Sequence, residues 1–173
     1  VKLQERGYRP FTDDTVVLSI LDGSCFAHAS YPMARLWNTT IAMQHHYPES
    51  QKKLLRAEID KYGFGFHEKF VTEKRLVAAL VFLEVSGDDI KVEPIRPVNT
   101  MILLNQNIYR MGWVVGMNKQ RLSFELTSAI SQNLPAFKAT RPESVATFEE
   151  FANAVDQQIL KRLLRTKEVE TEI

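Results

Sequence analysis

Only one cysteine, Cys25, occurs among the 173 residues. A lone thiol closes no internal disulfide, so a disulfide scaffold is excluded and the sequence fits a reducing, cytoplasmic compartment. Nor does any window approach the ~20 consecutive apolar residues of a membrane span. The longest apolar run, Leu76 to Val85, includes Glu84 and reads as a buried strand. Charge of one sign is missing too. Twenty-two Lys and Arg stand against 21 Asp and Glu, a net charge of +1, which gives no electrostatic argument for nucleic acid or for an anionic membrane. No HExxH, CxxC or GxSxG pattern occurs, so the zinc-hydrolase and nucleophile-elbow signatures are absent. Internal repeats and low-complexity stretches are also lacking. An initiator methionine is missing as well. The opening VKLQERGYRP is neither a signal nor a transit peptide, and the sequence reads as a piece of something longer.

What is present is ordinary globular composition, 45% hydrophobic and 25% charged, which excludes long disorder and collagen-like repeats. The patterning predicts an α/β chain with α+β character, a single domain over residues 1–165 and an acidic tail over 166–173. Val1 to Arg6 reads as the end of a helix closed by Gly7. Thr15 to Leu21 and Ser24 to Ala29 read as strands joined by a hairpin turn at Asp22-Gly23. Ser30 to Trp37 reads as a loop broken by Pro32, with a helix from Asn38 to about His46. The charged stretch Glu49 to Lys61, with Leu54, Leu55 and Ile59 on one side, reads as a further helix ending at Gly63 and Gly65.

The run from Leu76 then pairs with Ile90 to Ile95 as its partner strand. Pro97 starts a helix to about Arg110, and Asn118 caps the next, which Pro135 ends. Ala136 to Ala139 reads as a short edge strand. Thr147 and Glu150 form a capping box ahead of a helix with Phe148, Phe151, Ala152, Val155 and Ile159 on one face. Trp113 and this last helix read as core.

The adjacent carboxylates Asp13 and Asp14 precede the first strand. Neighbouring acids bind magnesium or take a proton from an attacking hydroxyl, and they are also ordinary turn residues. Arg35, between Tyr31-Pro32 and Leu36-Trp37, offers a planar fork of donors for phosphate oxygens. Lys69, Lys74 and Arg75 form a basic cluster that reads as solvated surface. His28, His45, His46 and His67 lack zinc-ligand spacing. Cys25, with His28 on the opposite strand face, reads as a buried structural thiol.

The segment ERGYRPFTDDTVVLSILDG followed by ASYPMARLW resembles the HPr serine kinase-like proteins of the phosphoenolpyruvate carboxykinase superfamily. The order Gly7-Tyr8, Asp13-Asp14, Val16, Pro32 and Arg35-Leu36-Trp37 matches the family's order downstream of its P-loop. The stretch NLPAFKATRPES is similar to its C-terminal edge strand. The resemblance implies a mixed sheet flanked by helices and phosphoryl transfer dependent on ATP and magnesium, to a protein serine or a small hydroxylated acceptor. It implies that Asp13 is the catalytic base, Asp14 its metal or structural partner, and Arg35 a residue that binds substrate or phosphate.

These parts suit the chemistry, since phosphoryl transfer is mostly positioning and charge neutralisation. No GxxxxGK[ST] occurs in the 173 residues, and the resemblance places that loop about one helix upstream of Val1. Met33 stands where the HPr kinases proper carry a glutamate, so the related kinase-like branch fits better. A non-catalytic kinase-like scaffold presenting a protein-interaction surface is the alternative. Oligomeric state stays open, with homo-oligomers compatible with the family.

Overall fold

The computed structural model describes residues 2–42, 52–56, 58–66 and 70–165. It is a mixed α/β structure with three small sheets. In chain order the elements are α1 (Lys2–Glu5), β1 (Val17–Leu21), β2 (Ser24–His28), β3 (Met33–Trp37), α2 (Asn38–Ala42), β4 (Lys53–Arg56), β5 (Ile59–Gly65), β6 (Arg75–Leu76), β7 (Leu80–Val85), β8 (Lys91–Ile95), α3 (Pro97–Gln106), α4 (Met111–Gly116), α5 (Gln120–Asn133), β9 (Ala136–Arg141) and α6 (Phe148–Val155). The sheets have the strand orders β1-β2-β6, β3-β5-β4 and β7-β9-β8. Two compact units result. One comprises Leu3–Ser19 and Phe26–Arg75; the other holds Lys2, Ile20–Cys25 and the chain from Leu76 onward. Among the described residues, no helix is long and apolar enough to cross a membrane.

In the first unit, Gly7 ends α1 with φ +90°. The Tyr8 N–H donates to the Leu3 carbonyl and the Gly7 N–H to the Gln4 carbonyl, the paired bonds of a Schellman ending, which needs the left-handed residue at that place. Strand β3 pairs antiparallel with β5, bringing Arg35 opposite Gly63 and Trp37 opposite Lys61. Alternation splits the two faces of this sheet. Ala34 and Phe64, cross-strand partners, are buried, while Arg35, Trp37 and Lys61 share the other face. Helix α2 packs on β3 and β5 with Ile41 buried.

Two expectations change here. Arg35 lies in a strand, not a loop. The stretch expected as a helix over Glu49 to Lys61 is, among its described residues, β4 and β5, which pair with each other across a register shift between Leu54 and Arg56. Cross-strand pairing outweighs the local spacing of Leu54, Leu55 and Ile59.

In the second unit, Asp22 (φ 49°) and Gly23 (φ 76°) make the turn between β1 and β2. Two consecutive positive φ values match the right-handed twist of a two-residue hairpin. Strand β9 is central in its sheet, parallel to β7 with Leu80 opposite Ala136, and antiparallel to β8 with Ile95 opposite Ala136. The expected edge strand is therefore interior, consistent with its buried Ala136 and Ala139. The Leu76–Val85 run is divided into β6 and β7.

Ala139, Val155 and Ile159 form the core, with Val81, Val92, Phe137, Phe151, Leu160 and Leu163 packed around them. The helical stripe of the last helix thus does face the core. Thr147 occupies its N-cap, but without a side-chain cap bond. Its hydroxyl donates instead to the Ser144 carbonyl at 2.6 Å. After Val155 the helix runs as a π turn over Asp156–Leu160. Helices α3 and α5 pack together, and Lys119, not Asn118, holds the N-cap of α5; Asn118 is left-handed at φ 53°. Trp113, expected in the core, is 58% exposed on α4, under the Arg110 guanidinium at 4.5 Å.

Candidate functional site

Within the first unit, the loop before β1 and the strand β3 bring Asp13, Asp14 and Arg35 together. The Thr15 N–H donates to the Asp13 carbonyl at 2.6 Å, closing a tight turn with Asp14 at its centre and a left-handed φ of 56°. Aspartate is among the few side chains that tolerate this region. Thr12 anchors the turn. Its Oγ1 donates to the Thr15 carbonyl at 3.0 Å, lies 2.7 Å from the Ser30 hydroxyl and accepts the Ser30 N–H at 3.3 Å.

Held in that turn, the two carboxylates do different work on one residue. The Arg35 backbone N–H donates to Asp13 Oδ2 at 2.7 Å. Strand β3 is an edge of its sheet, so Asp13 satisfies an edge donor that would otherwise need water. A carboxylate accepting a backbone N–H forms one of the stronger hydrogen bonds in proteins. Arg35 Nη1 donates to Asp14 Oδ2 at 3.2 Å. Lys61 Nζ lies 3.9 Å from Asp14 Oδ1, so a single carboxylate faces two cations.

Aromatic rings line the cations. The Arg35 guanidinium lies 4.8 Å from the centre of the Tyr31 ring and the Lys61 ammonium 5.7 Å from that of Trp37. On the same sheet Lys52 sits over Tyr62 at 4.2 Å and donates to Asn38 Oδ1 at 2.8 Å. Arg35 Nε is buried with no hydrogen-bond partner among the described residues. The Arg35 and Asp14 side chains keep about two-fifths exposure, so they remain open to an added ligand.

The three residues singled out from the sequence, Asp13, Asp14 and Arg35, thus meet in space. Lys61 was missed because it fell in a stretch read as helix. Its signal lies in the strand register that sets it opposite Trp37.

The remaining candidates fall elsewhere. His28 Nε2 lies 2.8 Å from Ser19 Oγ, while His45, His46, His67 and Lys69 lie outside the described residues. Lys74 stacks over Phe26 at 4.5 Å. Cys25 is buried, and burial pushes its thiol above the usual range, the opposite of an activated nucleophile. Among the described residues no three His, Cys, Asp or Glu side chains group to hold a metal ion. Magnesium in phosphate chemistry takes only one or two carboxylates plus the substrate's own oxygens, and Asp13 and Asp14 supply that number. No protein-family model matches the chain, and it has no significant match among curated proteins or solved structures.

Proposed function

We propose that the chain contributes the acid-and-cation part of a phosphotransferase that uses ATP and magnesium, with a protein serine or a small hydroxyl compound as acceptor, within a carboxykinase-like P-loop fold. One observation carries the reading. The two segments in which the kinase-like resemblance resides, Asp13-Asp14 and Arg35-Leu36-Trp37, converge on a 2.7 Å and a 3.2 Å contact. Magnesium-bound ATP supplies the transferable phosphoryl group.

Asp13 is braced through Oδ2, which leaves Oδ1 to accept the proton of the acceptor hydroxyl. The hydroxyl oxygen bonds to the γ-phosphorus of ATP as the bond to the β–γ bridging oxygen breaks, releasing ADP. Asp14, placed by its left-handed backbone, is the carboxylate for the metal. Arg35 offsets charge on the phosphoryl oxygens. The reading requires a GxxxxGK[ST] cradle from residues beyond these 173; a complete protein that lacks one would be the non-catalytic scaffold instead.

Titration of the complete protein with ATP, with and without magnesium, decides between them. Magnesium-dependent ATP binding, with transfer lost in Asp13→Asn, is expected. Asn keeps an acceptor for the Arg35 N–H and therefore the fold. No nucleotide binding refutes the kinase reading, and undiminished transfer in Asp13→Asn refutes the role of Asp13.

A further inference from the structure

We infer that Lys61 is a second phosphate-binding cation of this site, acting beside Arg35 and held in place by Asp14. The assignment rests on the phosphotransferase reading and adds a residue that the motif order does not contain. Lys61 faces Trp37 across β3 and β5, and Arg35 lies two residues before Trp37, so the three side chains leave one face of the sheet. The Lys61 side chain is 26% exposed, and a lysine covered along its stem turns its charged head toward water or an anion. That anion is Asp14, which Arg35 already engages. The Lys61 contact, at 3.9 Å, is longer than the ~2.7–2.9 Å of a close charge-assisted bond. Asp14 therefore holds the ammonium without saturating it.

Charge counting gives the ligand. Two carboxylates and two cations sum to zero, and engaging Asp14 elsewhere leaves a local charge of +1, with Arg35 and Lys61 both released from that carboxylate. Two released cations suit the oxygens of a phosphate group. Trp37, 53% exposed, forms an apolar wall beside them and limits screening by water. The shared chemistry is a phosphate dianion, carried either by a nucleotide or by the phosphorylated acceptor.

The test uses the protein carrying Trp113→Phe, which leaves Trp37 as the reporter of the chain's two tryptophans. Pyrophosphate and phosphoserine are titrated separately at fixed ionic strength without magnesium, and Trp37 emission is followed. A saturable change is expected. Tighter pyrophosphate marks the nucleotide's phosphates as ligand, and tighter phosphoserine marks the phosphorylated acceptor. Lys61→Gln weakens binding about tenfold, the size of one charged hydrogen bond, and Lys61→Arg restores most of it.

Asp14→Asn tightens binding by removing a competing anion, and asparagine tolerates the left-handed φ there. An absent saturable signal, an unchanged affinity in Lys61→Gln, or weaker binding in Asp14→Asn each overturns the assignment. If these phosphate results hold while the complete protein binds no ATP, the phosphotransferase reading alone fails.

Discussion

Replacing Gly63 with alanine probes how closely the sheet beneath the site is packed. Gly63 faces Arg35 across β3 and β5. A Cβ there would lie 2.7 Å from Met33 Sδ, 3.4 Å from Met33 Cγ and 3.0 Å from Leu55 Cδ2. Two effects oppose each other. Alanine restricts the unfolded chain, which stabilises by about 0.4–1 kcal/mol where the native backbone accepts it. Overpacking costs about 1–3 kcal/mol, and the flexible thioether of Met33 relieves part of that. The net expectation is a loss of about 0.5–2 kcal/mol. Urea unfolding measures it as a lower midpoint with an unchanged slope. A double-mutant cycle with Met33→Ala isolates the cause. Without the Met33 side chain only the 3.0 Å approach to Leu55 Cδ2 remains, so Gly63→Ala costs less, giving a coupling of about 1 kcal/mol, well above the ~0.3–0.5 kcal/mol scatter of independent sites. Additivity of the two changes, or stabilisation by Gly63→Ala alone, refutes the steric reasoning.

Two further outcomes concern the second unit. Ile159 is fully buried against Ala139 and Val155, so Ile159→Ala costs about 2–5 kcal/mol in denaturant unfolding; a loss below 1 kcal/mol would contradict that core. Cys25 is 2% exposed, and burial raises its pKa. The unfolded chain then loses the thiol proton first, so stability is complete below the ordinary thiol range, about pH 8.5, and declines as pH rises beyond it. Paired pH-stability curves of the parent and Cys25→Ala should diverge on the alkaline side only, and the native thiol should react with a disulfide reagent only after unfolding.

Local chemistry made part of the fold legible. Gly7 after α1, Asp22-Gly23 between β1 and β2, Pro97 opening α3 and the apolar stripe of α6 each act through neighbours a few residues away, and each stands as expected. The failures share a different cause. Lys53–Arg56 and Ile59–Gly65 carry charged residues at spacings that suit a helix surface, but their partners lie in β3 and in each other, beyond the reach of a local pattern. Trp113 is apolar by type yet exposed, because α4 presents it to the surface. At the site, Asp13, Asp14 and Arg35 were identifiable as residues. Their division of labour, one acid on a backbone N–H and the other on a guanidinium, follows from the turn at Asp14 and the edge position of β3. Lys61 became visible only with the register.

The place of β9 has a consequence during synthesis on the ribosome. Strands β7 and β8 emerge in succession, joined by the short Ser86–Ile90 link, yet in the finished sheet they never bond to each other, because β9 lies between them. The centre of that sheet is therefore made from residues that leave the ribosome after three helices, a delay of seconds at ~5–20 residues per second. During that interval β7 and β8 are free to zip together as a premature hairpin, which must reopen to admit Ala136–Arg141. Nascent chains released before Arg141 consequently expose both strands with their partner missing, the kind of unpaired edge that chaperones bind and that aggregates when they do not.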